Sequence, residues 1–257
     1  MRILTFIAIG LTLTAALVYA KLGDVVTSFP APGDRYSYVR GLARSPMHLF
    51  VVAGRYANTV YWVAPNTGSI RGSWTKWEGS FYHGLAYSSG GHLWAATREG
   101  VINDLDAFTG SLYRYWFNPA YPLDGLAPHC TGDGGKGTTA IFAGGNSPPF
   151  CRRYGIREGR LLSSFPLEKE YPDDLAWDHR NKILWTGATQ NKLFGYNTAG
   201  SLVAYFWTPN TYNYGLTYYG EYLWVSSQTT KYIYKIHCPS GISAAPFSLG
   251  KIKSLFY

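Results

Sequence analysis

The chain has 257 residues, a formal net charge of +8, and more aromatic residues (17%) than charged ones (15%). That length suits one large all-β domain or two small ones. Three cysteines exclude a disulfide scaffold and scattered basic residues without aromatic interleaving exclude a specific nucleic-acid binder, while long amphipathic helical runs are absent.

The N-terminus reads as an export signal. Arg2 supplies a positive start, Ile3 to Val18 are almost wholly apolar, and Val18-Tyr19-Ala20 puts small residues at the positions a signal peptidase reads. A signal peptide over 1–20 with cleavage before Lys21 is therefore expected. The alternative is a membrane anchor, which asks for about twenty apolar residues and a basic stop. No second apolar run of that length follows. The mature chain, 21–257, is expected to be secreted, in the periplasm or outside the cell, with no transmembrane segment.

An internal repeat then runs along the chain. Gly41-Leu42-Ala43, Gly84-Leu85-Ala86, Gly125-Leu126-Ala127, Asp174-Leu175-Ala176 and Gly215-Leu216-Thr217 recur at intervals of 43, 41, 49 and 41 residues. Each precedes an aliphatic-aromatic pair: Leu49-Phe50, Leu93-Trp94, Ile141-Phe142, Leu184-Trp185 and Leu223-Trp224. A turn glycine follows in every unit, and an aromatic stands six residues beyond it: Gly68 to Trp74, Gly110 to Trp116, Gly159 to Phe165, Gly200 to Phe206, Gly241 to Phe247. A sixth copy of this last element, Gly23 to Phe29, opens the mature chain.

A unit of about forty residues with four short strands and glycine turns matches one propeller blade. The predicted fold is all-β, one β-propeller of five four-stranded blades over 21–257. An incomplete six-bladed ring is the alternative, because there are six copies of the outer strand for five of the others. The Leu-Trp pairs fall on second strands, where their bulk fills the space between blades.

Phe81-Tyr82-His83-Gly84-Leu85-Ala86-Tyr87, Gly91-His92-Leu93-Trp94-Ala95-Ala96 and Asp106-Ala107-Phe108-Thr109-Gly110 resemble the repeat unit of secreted bacterial propellers. That group takes in streptogramin-lyase-like, NHL-type and PQQ-repeat-like proteins. The resemblance covers 22–247 and implies the fold, since its motifs encode core packing and turns. Streptogramin lyase resembles a seven-bladed ring with catalytic histidines; five units stand here, and none of the six histidines matches a catalytic one. His92, beside a turn, reads as a surface residue.

No enzyme motif is complete. Gly132-Asp133-Gly134-Gly135-Lys136-Gly137 lacks the Ser or Thr of a phosphate loop, and Asp104-Leu105-Asp106 lacks the remaining ligands of a calcium loop. Neither GxSxG nor HExxH occurs. Position gives a better guide: the first strand of each blade lines the channel, so the residue before each Gly-Leu pair lies at its mouth. Those residues are Arg40, His83, Asp124, Asp173 and Tyr214, with Tyr38, Phe81, Pro122, Tyr171 and Tyr212 nearby. Titratable groups with aromatic walls suit a small-molecule or sugar ligand; a water-lined channel without a ligand has the same composition. The loop Pro128 to Gly137 is longer than its counterparts and reads either as a partner contact or as a tolerated insertion.

Cys130 and Cys151 are the one local cysteine pair. Blade geometry puts them near opposite edges of unit three, yet the long loop after Cys130 leaves a disulfide open. The leading functional expectation is an exported, non-enzymatic binding or assembly module, with a protein partner, self-association through a spare terminal strand, or a small ligand at the mouth. A lyase- or lactonase-type enzyme using Asp124, Asp173 and His83 is the alternative. So is a lectin-like carbohydrate binder using Trp77, Tyr121 and Tyr212. Cofactor and metal are both left open.

Overall fold

The computed structural model describes residues 22–33, 38–53, 59–76, 81–117, 122–146, 149–167, 172–187, 191–209 and 212–241. The expected signal peptide, Trp77, Tyr121, Tyr171 and the last outer-strand copy at 242–247 lie outside them.

One strand, Val25–Pro30 (β1), precedes the first blade. Blade one is Val39–Arg44 (β2), Leu49–Ala53 (β3), Thr59–Val63 (β4) and Ile70–Thr75 (β5). Blade two is Tyr82–Ser88 (β6), His92–Thr97 (β7), Val101–Asp106 (β8) and Leu112–Phe117 (β9). Blade three is Gly125–His129 (β10), Ala140–Asn146 (β11), Pro149–Gly155 (β12) and Leu161–Pro166 (β13). Blade four is Leu175–Asp178 (β14), Ile183–Gly187 (β15), Lys192–Tyr196 (β16) and Leu202–Trp207 (β17). Blade five holds Asn213–Tyr219 (β18), Tyr222–Ser227 (β19) and Tyr232–His237 (β20), with β1 paired antiparallel to β20 as its outer strand.

The inner strands neighbour one another in a closed circle: β2 with β6, β6 with β10, β10 with β14, β14 with β18 and β18 with β2. This is a five-bladed β-propeller, and the incomplete six-bladed ring is overturned. Five units close because the N-terminal strand supplies the fourth strand of the last blade.

The core is divided among the five gaps between blades, each holding its own hydrophobic cluster. Trp94, Trp185 and Trp224, from the Leu-Trp pairs, are fully buried there on β7, β15 and β19. Burying a large apolar side chain contributes about 1.5–3 kcal/mol, so these second-strand residues hold neighbouring blades together.

The fixed spacing between turn glycine and aromatic has a contact behind it. A Cβ on Gly110 would stand 2.6 Å from the Trp74 ring of the preceding blade, and Gly110 also needs φ +71°. Gly159 receives Trp116 in the same way, and Gly200 receives Phe165. Phe29 packs on Gly68, and Phe206 on Gly23. The outer-strand aromatic of one blade therefore lies on the turn of the next, where only a missing side chain leaves room.

The cysteines are all free and buried, so the expected option of a Cys130–Cys151 disulfide is corrected. Register gives the reason. Cys151 pairs with Gly144, which pairs with Gly125 at the start of β10, whereas Cys130 follows the end of that strand. Four to five residues at about 3.3 Å each separate the two levels, beyond the roughly 7 Å Cα separation a disulfide tolerates. Burial pushes the Cys130 thiol up to about 11, and raises the Cys151 and Cys238 thiols as well. Thiol counting without reductant is expected to find three thiols after denaturation and none reactive in the native protein; a count of one would restore the disulfide.

Candidate functional site

The inner strands approach one another closely just inside the mouth. A Cβ on Gly84 would stand 2.6 Å from the backbone nitrogen of Leu126, and one on Gly41 would stand 2.8 Å from that of Leu85. Only glycine fits between such backbones. Blade four departs from this rule with Asp174, which is fully buried.

The Asp174 carboxylate is held by amides from four blades. Oδ1 accepts N–H bonds from Leu126 (3.2 Å) and Leu175 (2.9 Å), and Oδ2 accepts from Leu216 (2.7 Å) and Leu42 (3.4 Å). Burial raises its carboxyl well above the usual range, against the opposing pull of these amides. A single side chain thus bridges the channel from within.

The far end of the channel is closed by the long loop of blade three. Its 3₁₀ turn, Asp133–Gly135, touches the other four blades. Gly134 abuts Pro46 of blade one, and the Gly135 carbonyl accepts the Ser89 N–H of blade two. Asp133 meets Arg180 of blade four (3.2 Å) and accepts the Gly220 N–H of blade five (2.8 Å). Beneath the turn is a cavity of about 10 Å³ lined by Arg44, Tyr87, Cys130, Trp177 and Thr217, space for about one water. The Pro128–Gly137 loop is therefore a stopper packed into the ring, which neither reading of the sequence had foreseen.

The mouth lies on the other side of Asp174 from the stopper, and Arg40, His83, Asp124, Asp173 and Tyr214 stand there, each just before the Gly-Leu or Asp-Leu step of its inner strand. Register shifts fall between Val39 and Gly41, Tyr82 and Leu85, and Asn213 and Leu216, so β2, β6 and β18 bulge where they carry Arg40, His83 and Tyr214. A bulge re-aims the side chain it carries. His83 Nδ1 lies 3.0 Å from Asp124 Oδ1, with the two side chains 10% and 14% exposed. Burial raises the Tyr214 hydroxyl; the charges of Asp173, Tyr212 and Asp124 add to this, and that of Arg40 opposes it. All five ring positions are thus electrostatically linked or in contact. Asp124 has His83 as its direct partner.

Aromatic walls are present in part. Lys231 Nζ sits 3.8 Å above the Tyr38 ring, while Phe81 and Tyr212 are exposed. No group of three or more His, Cys, Asp or Glu side chains is gathered to hold a metal among the described residues. No helix there is long and apolar enough to cross a membrane.

No protein-family model matches the sequence, and no curated protein matches it. Solved structures do. A glutaminyl cyclase from Myxococcus xanthus superposes with a TM-score of 0.65 at 11% identity, over 83% of this chain and 95% of that one. A chain of a mitotic checkpoint complex superposes with a TM-score of 0.52 at 14% identity, over 79% of this chain and 64% of that one. The likeness is one of fold. At such identities it carries no residue role across.

Two polar groups escaped the sequence reading. In the sequence Asp133 reads as part of a glycine-rich surface loop, and His92 as a surface histidine. Asp133 in fact ties blades three, four and five, while His92 Nδ1 lies 2.7 Å from the buried Asp104. The signal available was the acidic residue in each case, without its partner.

Proposed function

We propose that this chain is an exported binding module whose ligand sits in the cup formed by Arg40, His83, Asp124, Asp173 and Tyr214. The observation that carries this reading is the His83–Asp124 pair at the open end of a channel closed behind it. Donors, acceptors and both signs of charge converge there, with exposed aromatics beside them, as recognition of a small polar molecule or a protein terminus requires. The leader over 1–20 supports export, and the repeat motifs support membership of the secreted NHL-like propellers. The C-terminal outer-strand copy, surplus to a closed ring, supports self-association as a second contact mode.

An enzyme at the same cup is the second reading. A histidine whose Nδ1 is held by a carboxylate presents Nε2 as a base, and the glutaminyl cyclase of similar fold is an enzyme. A lectin-like role rests on Tyr212, since Trp77 and Tyr121 lie outside the described residues.

The test is a thermal-shift screen of the mature protein against free amino acids, short peptides and sugars, repeated on the Asp124→Asn/Asp173→Asn double variant. Compounds that stabilise the wild type are expected to bind the variant at least about tenfold more weakly, a loss of about 1.4 kcal/mol or more. Its melting temperature should move by only about 2–4 °C, the shift expected from about 1 kcal/mol. Binding unchanged in the double variant would place the site elsewhere. Chemical conversion of a bound compound would favour the enzyme.

A further inference from the structure

A second constellation lies on the opposite rim, between blades two and three. Asp104 on β8 has no exposed surface, and a buried carboxylate needs partners. It has two: His92 Nδ1 lies 2.7 Å from Oδ1, and Arg114 Nε donates to Oδ2 at 2.9 Å. Arg114 also donates through Nη1 to the Arg157 carbonyl at 3.1 Å. Its guanidinium lies over Trp94 and Trp116 at 5.3 and 5.6 Å, and those rings stack on each other at 4.7 Å. Two side chains are thereby fixed in direction, while His92 Nε2 and Arg114 Nη2 bond to no other described residue.

Both residues line a cavity of about 170 Å³ with Ser88, Ser89 and Thr138. It adjoins an open cleft of about 510 Å³ bordered by Thr138, Ile156, Arg157, Glu158 and Arg160. Along the cavity and cleft, Arg114, Arg157 and Arg160 stand against Asp104 and Glu158, while Asp106, cross-strand from His92, is engaged by Tyr113 and Thr109. A guanidinium fixed in direction, with hydroxyls and two further arginines beside it, forms a receptor for an oxyanion.

We propose that this rim site binds the anionic group of a phosphorylated or sulfated small molecule, its neutral body extending into the cleft. Arg114 Nη2 donates to the anion, and His92, its Nδ1–H given to Asp104, donates from Nε2 as the imidazolium. Asp104 is a positioning residue: it aims both donors and does not touch the ligand. The stopper loop contributes here as well, because Ser89 is tied to Gly135 and Thr138 follows the 3₁₀ turn.

Isothermal titration of the mature protein with inorganic phosphate, glucose 6-phosphate and glucose tests this. One saturable phosphate site is expected, with glucose 6-phosphate binding at least about tenfold tighter and glucose not at all. His92→Gln, at a side chain 37% exposed, is expected to stay folded and to weaken both anions about tenfold. Arg114→Lys keeps the charge but cannot hold Asp104 and the cavity together, and should weaken them by a similar factor. Arg71→Gln, which removes a positive charge from the exposed outer strand of blade one, should change nothing. Failure of the wild type to saturate with phosphate would overturn the proposal, as would undiminished binding by His92→Gln or a loss caused by Arg71→Gln. Equal affinity for phosphate and glucose 6-phosphate would overturn the part assigned to the cleft.

Discussion

Asp174→Asn is expected to destabilise the protein by about 3–5 kcal/mol, the range for breaking a buried charged network. The amide replaces one carboxylate oxygen with an NH2 group, so two of the four N–H donors from Leu42, Leu126, Leu175 and Leu216 would face a donor. No rotamer avoids this, because both oxygens accept two bonds each. In a domain of this size each kcal/mol lowers the melting temperature by about 2–4 °C, so a fall of roughly 10 °C is expected in a thermal scan. Urea unfolding should give a lower midpoint at an unchanged slope. A variant as stable as the wild type would mean that the carboxylate is not what binds the inner strands together.

Much of the ring was legible because its rules are local. The six-residue offset from turn glycine to aromatic sets where each outer strand lays its ring, and the Leu-Trp pairs mark the strand that fills each gap between blades. Both are spacings within one unit, repeated. The polar network is different in kind. Asp174 stood out as the one non-glycine in its series, yet its acceptor role depends on amides from blades one, three, four and five, which no spacing within a unit reveals. Asp133 meets Arg180 and Gly220, residues 47 and 87 positions away, so a loop that reads as a surface insertion is a stopper. His92 and Asp104 are only twelve residues apart, but a histidine beside a turn gives no sign of a buried carboxylate behind it. At the mouth, counting back from Gly-Leu leads to Arg40, His83 and Tyr214, and bulges in β2, β6 and β18 fall at that same position in the unit.

Deleting β1 is expected to abolish the folded monomer, whereas deleting 242–257 should leave the melting temperature within about 2 °C of the parent, the scale of a change under 1 kcal/mol. The two terminal copies of the outer strand are alike in sequence, but the ring uses the first. Five register pairs join β1 to β20 from Val25↔Ile236 to Pro30↔Tyr232. At the same edge Gly23 donates its N–H to the His237 carbonyl at 3.0 Å, and the Asp24 carbonyl accepts the His237 N–H at 2.8 Å. Gly23 also receives Phe206 from blade four, and Phe29 packs on Gly68 of blade one, so this copy completes the staple in both directions. A Cβ placed on Gly241, the turn glycine of the C-terminal copy, would meet no described residue within 4 Å. Removing β1 strips the β20 edge of its backbone partners, uncovers the hydrophobic clusters on both sides of blade five, and opens the circle between the last blade and the first. Circular dichroism melts of the two deletions, each made in the mature chain, separate the termini directly. Loss of folding on removing 242–257 would show that the second copy closes the ring. If that deletion stays folded and dissolves oligomers that light scattering detects in the full mature chain, the surplus copy is what pairs one propeller with another.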